Sequence, residues 1–112
     1  MLTGVGSGGT PIGVTRLYLN PALKGIERAL RGNKAPVYSI IERDFGVRIE
    51  RVEQLISGVV LDAEDAENLG VPAGTPGLAV RRSYYDEAGR LLEFADNVHP
   101  ANRFAYRMEL RR

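Results

Sequence analysis

The chain has 112 residues, with 15 Lys and Arg against 14 Asp and Glu and a formal net charge of +1. That length suits one domain, and the even charge balance argues against a stand-alone nucleic-acid binder, which carries a clear basic excess. Cysteine is absent, a single histidine cannot build a multi-His centre, and no apolar run approaches the roughly 20 residues that span a bilayer, so disulfides, metal sites and membrane spans are not expected. The start lacks a basic region followed by a long apolar stretch, which makes a cytoplasmic protein the expectation.

Gly4, Gly6 and Gly9 match a G-x-G-x-x-G pattern. A dinucleotide loop needs a strand before it and a helix directly after it. Here Pro11 leads into an extended segment, so residues 1–10 read as a flexible glycine-rich lead-in or hairpin tip. Ile12 to Leu19 reads as a strand, with Ile12, Val14, Arg16 and Tyr18 on one face. Asn20-Pro21 predicts a helix start, Leu23, Ile26 and Leu30 its apolar stripe, and Gly32 its end. Pro36 opens a second helix with Val37, Ile40, Ile41 and Phe45 inward, closed by Gly46. Val47 to Val60 is predicted extended, with an alternation that breaks near Arg51-Val52 and signals a bulge. Asp62 caps a third helix, with Ala63, Ala66 and Leu69 on its inner face and Gly70 at its end. Asp62, Glu64, Asp65 and Glu67 surround that helix start, where acids suit the dipole and are expected to face solvent.

Leu78 to Tyr85 and Arg90 to His99 read as strands joined by the turn 86–89, and Phe104 to Leu110 as a third, giving two tandem hairpins. The class is therefore α+β: an antiparallel sheet with helices packed on one face. A four-residue turn sets Tyr85 against Arg90 and hence Arg82 against Glu93. Arg82 and Tyr84 then share a face with Leu91, Glu93, Asn97 and His99, while Leu92, Phe94 and Val98 turn to the helices. Covered by another part of the fold, such a polar face suits a ligand pocket. The plainer alternative is an Arg82–Glu93 ion pair on a wet face. No serine sits in a nucleophile elbow, and the basic residues form neither a recognition helix nor an aromatic-interleaved stripe.

Residues 36–112 resemble the C-terminal part of a UTRA (UbiC transcription regulator-associated) domain, the effector-binding domain of HutC-subfamily GntR-type transcription regulators. The resemblance rests on the helix ending Asp44-Phe45-Gly46-Val47, and on Asp62-Ala63-Glu64-Asp65-Ala66 running to Leu69-Gly70-Val71-Pro72-Ala73-Gly74-Thr75-Pro76. It rests further on Arg82 with Tyr85-Asp86 and Gly89-Arg90 through Glu93-Phe94, and on Asn102-Arg103-Phe104. Gly9-Thr10-Pro11-Ile12 and Leu17-Tyr18-Leu19 extend it to roughly residues 9–112. It implies a chorismate-lyase-like fold, a homodimer, no cofactor, and a small-molecule effector, often an anionic metabolite. It implies contact with operator DNA only through a winged helix-turn-helix domain, which this chain lacks. The first strands of the domain, which in the family bring ligand-binding arginines, are also expected to be missing, so residues 11–112 are expected to form a partial UTRA domain.

By the same resemblance Glu93 matches a ligand-contacting carboxylate, His99 stands where the family often has an aromatic residue, and Arg82 matches a recurrent arginine. Tyr84, Arg16 and Tyr18 complete the expected ligand-binding set. The reading is non-enzymatic. Its rivals are a chorismate-lyase-like enzyme on the same fold and a dimerisation module without a working pocket.

Overall fold

The computed structural model describes residues 2–5 and 12–112; residues 6–11, which hold two of the three patterned glycines, lie outside the described part. Five strands form one antiparallel sheet: β1 (Leu2–Val5), β2 (Val14–Leu19), β3 (Ile49–Val60), β4 (Pro76–Asp86) and β5 (Leu91–Pro100). Their spatial order is β1-β2-β5-β4-β3. Helices α1 (Ile26–Leu30) and α2 (Val37–Phe45) connect β2 to β3, and α3 (Ala63–Leu69) connects β3 to β4. This is the expected α+β architecture, and the expected irregularity in β3 lies between Ile49 and Arg51.

Local chemistry explains the helix limits. The Asp62 carboxylate accepts the Asp65 N–H at 2.8 Å and caps α3. Gly46 and Gly70, at φ 64° and 68°, end α2 and α3 in the left-handed conformation that glycine adopts without strain. Helix α1 begins later than Asn20-Pro21 predicts. The Asn20 side chain accepts the Ala22 N–H at 2.9 Å and donates to the Leu91 carbonyl at 2.9 Å, which ties it into a turn against β5. The helix therefore waits until Ile26.

Strand register sorts side chains onto two faces. The front face carries Leu17 and Leu19, Val80, Arg82 and Tyr84, Glu93, Asn97 and His99, and Val52 and Gln54. The back face carries Val14, Arg16 and Tyr18, Ala79 and Arg81, and Phe94, Asp96 and Val98. Helices α1 and α2 cover one end of the front, where Leu23, Ile26 and Ile41 bury Leu92. Helix α3 covers the back, where Ala66 and Leu69 pack with Val14, Ala79 and Val98. The helices are thus divided between the faces and not gathered on one. The central strands require this, because adjacent residues such as Ala79 and Val80 are both buried and each face needs its own cover.

Two further expectations are corrected. Phe104 to Leu110 forms no strand, because β2 and β4 already occupy both edges of β5. Within α3, Ala63 is exposed and Asp65 faces inward, 7% exposed. The inward turn brings Asp65 within 2.6 Å of the half-buried Arg16 on β2, closer than Glu64 at 3.4 Å. Glu64, Glu67 and Asp62 are exposed, as the helix-start reading expects.

Ile41 of α2 is fully buried against Leu23, Ile26 and Leu92. Ile41→Ala is expected to cost about 2–5 kcal/mol in urea denaturation, the range for emptying a packed aliphatic site. A loss below about 0.5 kcal/mol, as at surface positions, would mean that α2 does not pack on the front of the sheet.

Candidate functional site

The central hairpin closes one residue further along than a four-residue turn implies. The Asp86 N–H donates to the Arg90 carbonyl at 3.0 Å, and Gly89 turns the chain at φ 82°. The Asp86 carboxylate accepts from the Ala88 N–H, the Arg90 N–H and the Arg90 guanidinium, all within 3.0 Å. These bonds, led by that from the Arg90 backbone, hold its carboxyl below the usual range. A second shift follows at Leu92, where Tyr85 pairs with Leu91 but Tyr84 pairs with Glu93. The two shifts together move the register by two residues. Arg82, Tyr84, Glu93, Asn97 and His99 therefore stay on one face as expected, but their partners change, and Leu91 leaves that face. Arg82 lies opposite Ala95 and not Glu93.

The expected alternative of an Arg82–Glu93 ion pair is therefore absent. The Arg82 Nε donates to the Gln54 side chain at 2.6 Å, and Arg82 meets no carboxylate among the described residues. It lies between two hollows of the front face. One, of about 210 Å³, is lined by Val80, Arg82, Asn97, His99, Phe104 and Tyr106. The other, of about 390 Å³, is lined by Tyr38, Glu42, Ile49, Val52, Arg82 and Tyr84. Helix α2 walls one end, where Tyr38 stacks on Tyr84 with ring centres 5.9 Å apart. The segment after β5 walls the other. There Phe104 stacks on His99 with ring centres 3.7 Å apart, and Gln54 donates to the Tyr106 hydroxyl at 2.9 Å.

His99 Nδ1 lies 2.7 Å from the Ile12 carbonyl, which can only accept, so this nitrogen carries the proton. A Cβ on Gly13 would collide with the same ring, so the glycine makes room for it. Asn97 accepts from Thr15 and donates to the Val80 carbonyl, and is satisfied within the sheet.

Glu93 is 4% exposed, and its Oε1 has no hydrogen-bond partner among the described residues. Burial pushes its carboxyl from 4.5 up to about 7. Beside it, burial and then the Glu93 charge raise the Tyr84 hydroxyl. Glu93 lies diagonally across the β4–β5 pair from Arg82, but it lines a separate hollow with Tyr18, Leu19 and Asn20. Of the six residues expected to bind ligand, Arg82, Tyr84 and His99 thus border a front-face cleft made of two hollows that share Arg82, and Glu93 lies across the ladder from Tyr84. Tyr18 reaches only the neighbouring hollow, and Arg16 lies on the back face.

The back face is electrostatically closed. Asp65 and Glu64 both meet Arg16, and the hydrogen bond that Arg16 donates to Asp65 leads in holding the guanidinium above its ordinary range. Arg81 meets Asp96 at 3.2 Å. Among the lining residues outside the expected site, Tyr38 and Glu42 come from α2 and Phe104 and Tyr106 from the segment after β5. Tyr38 and Glu42 are spaced by one helical turn, one position round from the Val37–Ile41 stripe, which is the available signal that this edge of α2 overhangs the sheet. Phe104 and Tyr106 alternate like a strand, and the pattern does not distinguish pairing from lying across a face.

A model of the UTRA domain matches residues 6–105. The chain belongs to the UTRA domain family. The HTH-type transcriptional regulator Rv0792c of Mycobacterium tuberculosis is 29% identical over 109 residues, 95% of this chain and 40% of that protein. The HTH-type transcriptional repressor NagR of Bacillus subtilis is 29% identical over 73 residues, 65% of this chain and 30% of that protein. This UTRA chain thus spans less than half the length of either relative. Among solved structures, the ligand-binding domain of a GntR-family transcriptional regulator from Bordetella bronchiseptica superposes with a TM-score of 0.79 at 29% identity. It covers 95% of this chain and 69% of its own. The effector domain of PhnF from Mycobacterium smegmatis shares the fold, with a TM-score of 0.77 at 23% identity, over 93% of this chain and 64% of its own.

The raised carboxyl of Glu93 has a thermodynamic consequence for this UTRA domain. Between pH 4.5 and about 7 the folded protein keeps a proton that the unfolded chain has released. Stability therefore falls as pH rises through that window and stays lower above it. The full drop is on the order of 3 kcal/mol at about 1.4 kcal/mol per pH unit. Urea denaturation at pH 5 and pH 8 is expected to show this loss in the wild type and a flatter profile in Glu93→Gln. Parallel profiles would place the Glu93 carboxyl in water.

Proposed function

We propose that this UTRA domain senses a small anionic metabolite in the front-face cleft, as part of a homodimeric, cytoplasmic GntR-type regulator. Operator DNA is contacted by a domain outside this chain. The observation that carries this reading is the Arg82 guanidinium, set in the floor of the cleft between two hollows and facing no carboxylate among the described residues. A cation in that position lacks the charge partner that arginines of the back face possess, and an anionic group of a ligand supplies it with charge-assisted, bidentate hydrogen bonds.

The aromatic walls, Tyr38 and Tyr84 on one side and Phe104 on the other, provide apolar surface for the rest of the molecule. The larger hollow is near the lower end of the roughly 300–1,000 Å³ of ligand pockets, which suits a small metabolite. Glu93, buried behind Tyr84 with one oxygen unsatisfied, offers a second polar contact to a ligand that displaces the tyrosine ring. Nothing in the cleft favours turnover. Chorismate-lyase-like chemistry needs several arginines to hold two carboxylates beside an acid, and Arg82 is the only arginine among the described residues lining the two hollows. The names of the relatives support a regulatory role, and no helix among the described residues is long and apolar enough to cross a membrane.

A thermal-shift screen of anionic metabolites is expected to find at least one that raises the Tm in a dose-dependent way, since a ligand that binds only the folded state stabilises it. Arg82→Gln is expected to weaken that compound at least about tenfold, a loss of about 1.4 kcal/mol. Equal affinity in the variant would place the anion site elsewhere. The chain alone, with its net charge of +1, is expected to leave operator DNA unshifted in a gel titration at physiological salt. A sequence-specific shift at nanomolar protein would contradict the assignment of DNA contact to another domain.

A further inference from the structure

We propose that residues 104–112 form an arm that leaves the sheet at its β3 edge and docks on the β3 edge of a second copy of this chain. The same segment then walls the ligand cleft and holds the dimer. The inference rests on the homodimer and the cleft proposed above, and adds the surface and the coupling.

Strand β3 is the outermost strand on its side of the sheet, 12 residues long and, among the described residues, hydrogen-bonded only to β4. Its free edge leaves a row of unpaired N–H and C=O groups, an open template for another strand. Proteins that keep such an edge solitary shield it with lysine, proline or a shortened strand. Here neither residue occurs in β3, and residues 54–60 carry no charge. Leu55 is 60% exposed and Val60 72%.

The arm points toward that edge. Phe104 stacks on His99 of β5, and two residues later Tyr106 bonds to Gln54 of β3, so the chain crosses the front of the sheet from β5 over β4 to β3. Residues 107–112 beyond it are all exposed. They continue the alternation of Phe104 and Tyr106 with Met108 and Leu110, which are 65% and 82% exposed. An alternating apolar segment is thus left unburied beside an unpaired apolar edge. Both halves of the contact belong to the same chain, which a two-fold axis near β3 satisfies twice.

Charge and area favour a second copy as the occupant. The arm carries Arg107, Arg111 and Arg112 against Glu109, whereas β3 carries Glu50 and Glu53 against Arg51, so the two have opposite net signs. A 12-residue edge is about 40 Å long and, at a sheet thickness of about 10 Å, presents only about 400 Å². A stable interface buries about 800 Å² per partner. Edge pairing alone falls short by about half, and reciprocal arms supply apolar side chains to make up the difference. Since Phe104 and Tyr106 line the cleft, docking of the arm fixes that wall, and by linkage a ligand held against it strengthens the dimer in return.

Sedimentation of the full chain from about 1 to about 100 µM, the range in which an interface of standard size holds, tests this. The probes are the wild type, Met108→Asp/Leu110→Asp and Leu55→Asp, with circular dichroism melting to establish that each is folded. All three positions are exposed, and Met108→Ser/Leu110→Ser serves as the milder arm variant. A dimeric wild type is expected, with the arm and edge variants each raising the dissociation constant at least about tenfold. A monomeric wild type at about 100 µM would overturn the homodimer and the arm together. A dimer indifferent to the arm variants would overturn the arm and leave the homodimer standing on another surface.

Discussion

The Asp86 carboxylate gathers the Ala88 and Arg90 amides and the Arg90 guanidinium, and so fixes where the β4–β5 hairpin closes. The character of the front face follows from that closure together with the extra residue at Leu92. One shift alone would turn every later side chain of β5 to the opposite face. Glu93, Asn97 and His99 would then lie under α3, and Val98 would stand in the cleft. Two shifts restore the face and change only the partners. Arg82 is thereby released from Glu93 and placed across from the methyl group of Ala95, which is why a cation without a carboxylate stands in the floor of a cleft.

The two faces of the sheet then differ in a way that bears on function. On the back, each arginine has an acid within reach, and α3 is tied to β2 through Arg16 and Asp65. Those charges fix a helix in place and have little left to offer a ligand. On the front, Arg82 has neutral groups for company, the Gln54 amide and the hydroxyls of Tyr84 and Tyr106, and Glu93 has an unsatisfied oxygen. Burying a carboxyl without a partner costs free energy, and the upward shift of its titration expresses that cost. Stability is therefore lower near neutral pH than a neutral side chain at position 93 would give. Such a conflict between local stability and composition is typical of a site whose partner is a ligand.

The fold was legible wherever punctuation was strong. Gly46, Asp62 and Gly70 marked helix ends because positive φ and capping leave few alternatives. The β3 irregularity was visible as a break in alternation. What stayed hidden depends on contacts remote in sequence. Asn20 serves β5 instead of α1, which only the β2–β5 pairing reveals. Phe104 to Leu110 alternates like a strand, but β2, in the register Val14↔Val98, had already claimed the edge of β5 that it needed. In the site, the shared face of Arg82, Tyr84, Glu93 and His99 was readable from period two, since an even register error preserves it. The partner of Arg82 was not readable, because partners follow absolute register. Arg16 and Tyr18 share one face of β2 by period two, but alternation alone does not say which face of β2 meets which face of β5.

The most direct measurement of the central claim is a two-dimensional NMR titration of the labelled domain with inorganic phosphate and then with a set of small carboxylates and phosphate esters. If Arg82 is the anion site, shift changes centre on Arg82, Tyr84, His99 and Phe104, with the Arg82 side-chain Nε–H among them, and Arg16, Arg81 and Asp96 stay unmoved. Changes centred on the Arg16–Asp65 pair, or spread evenly over exposed arginines, would contradict a front-face sensor site.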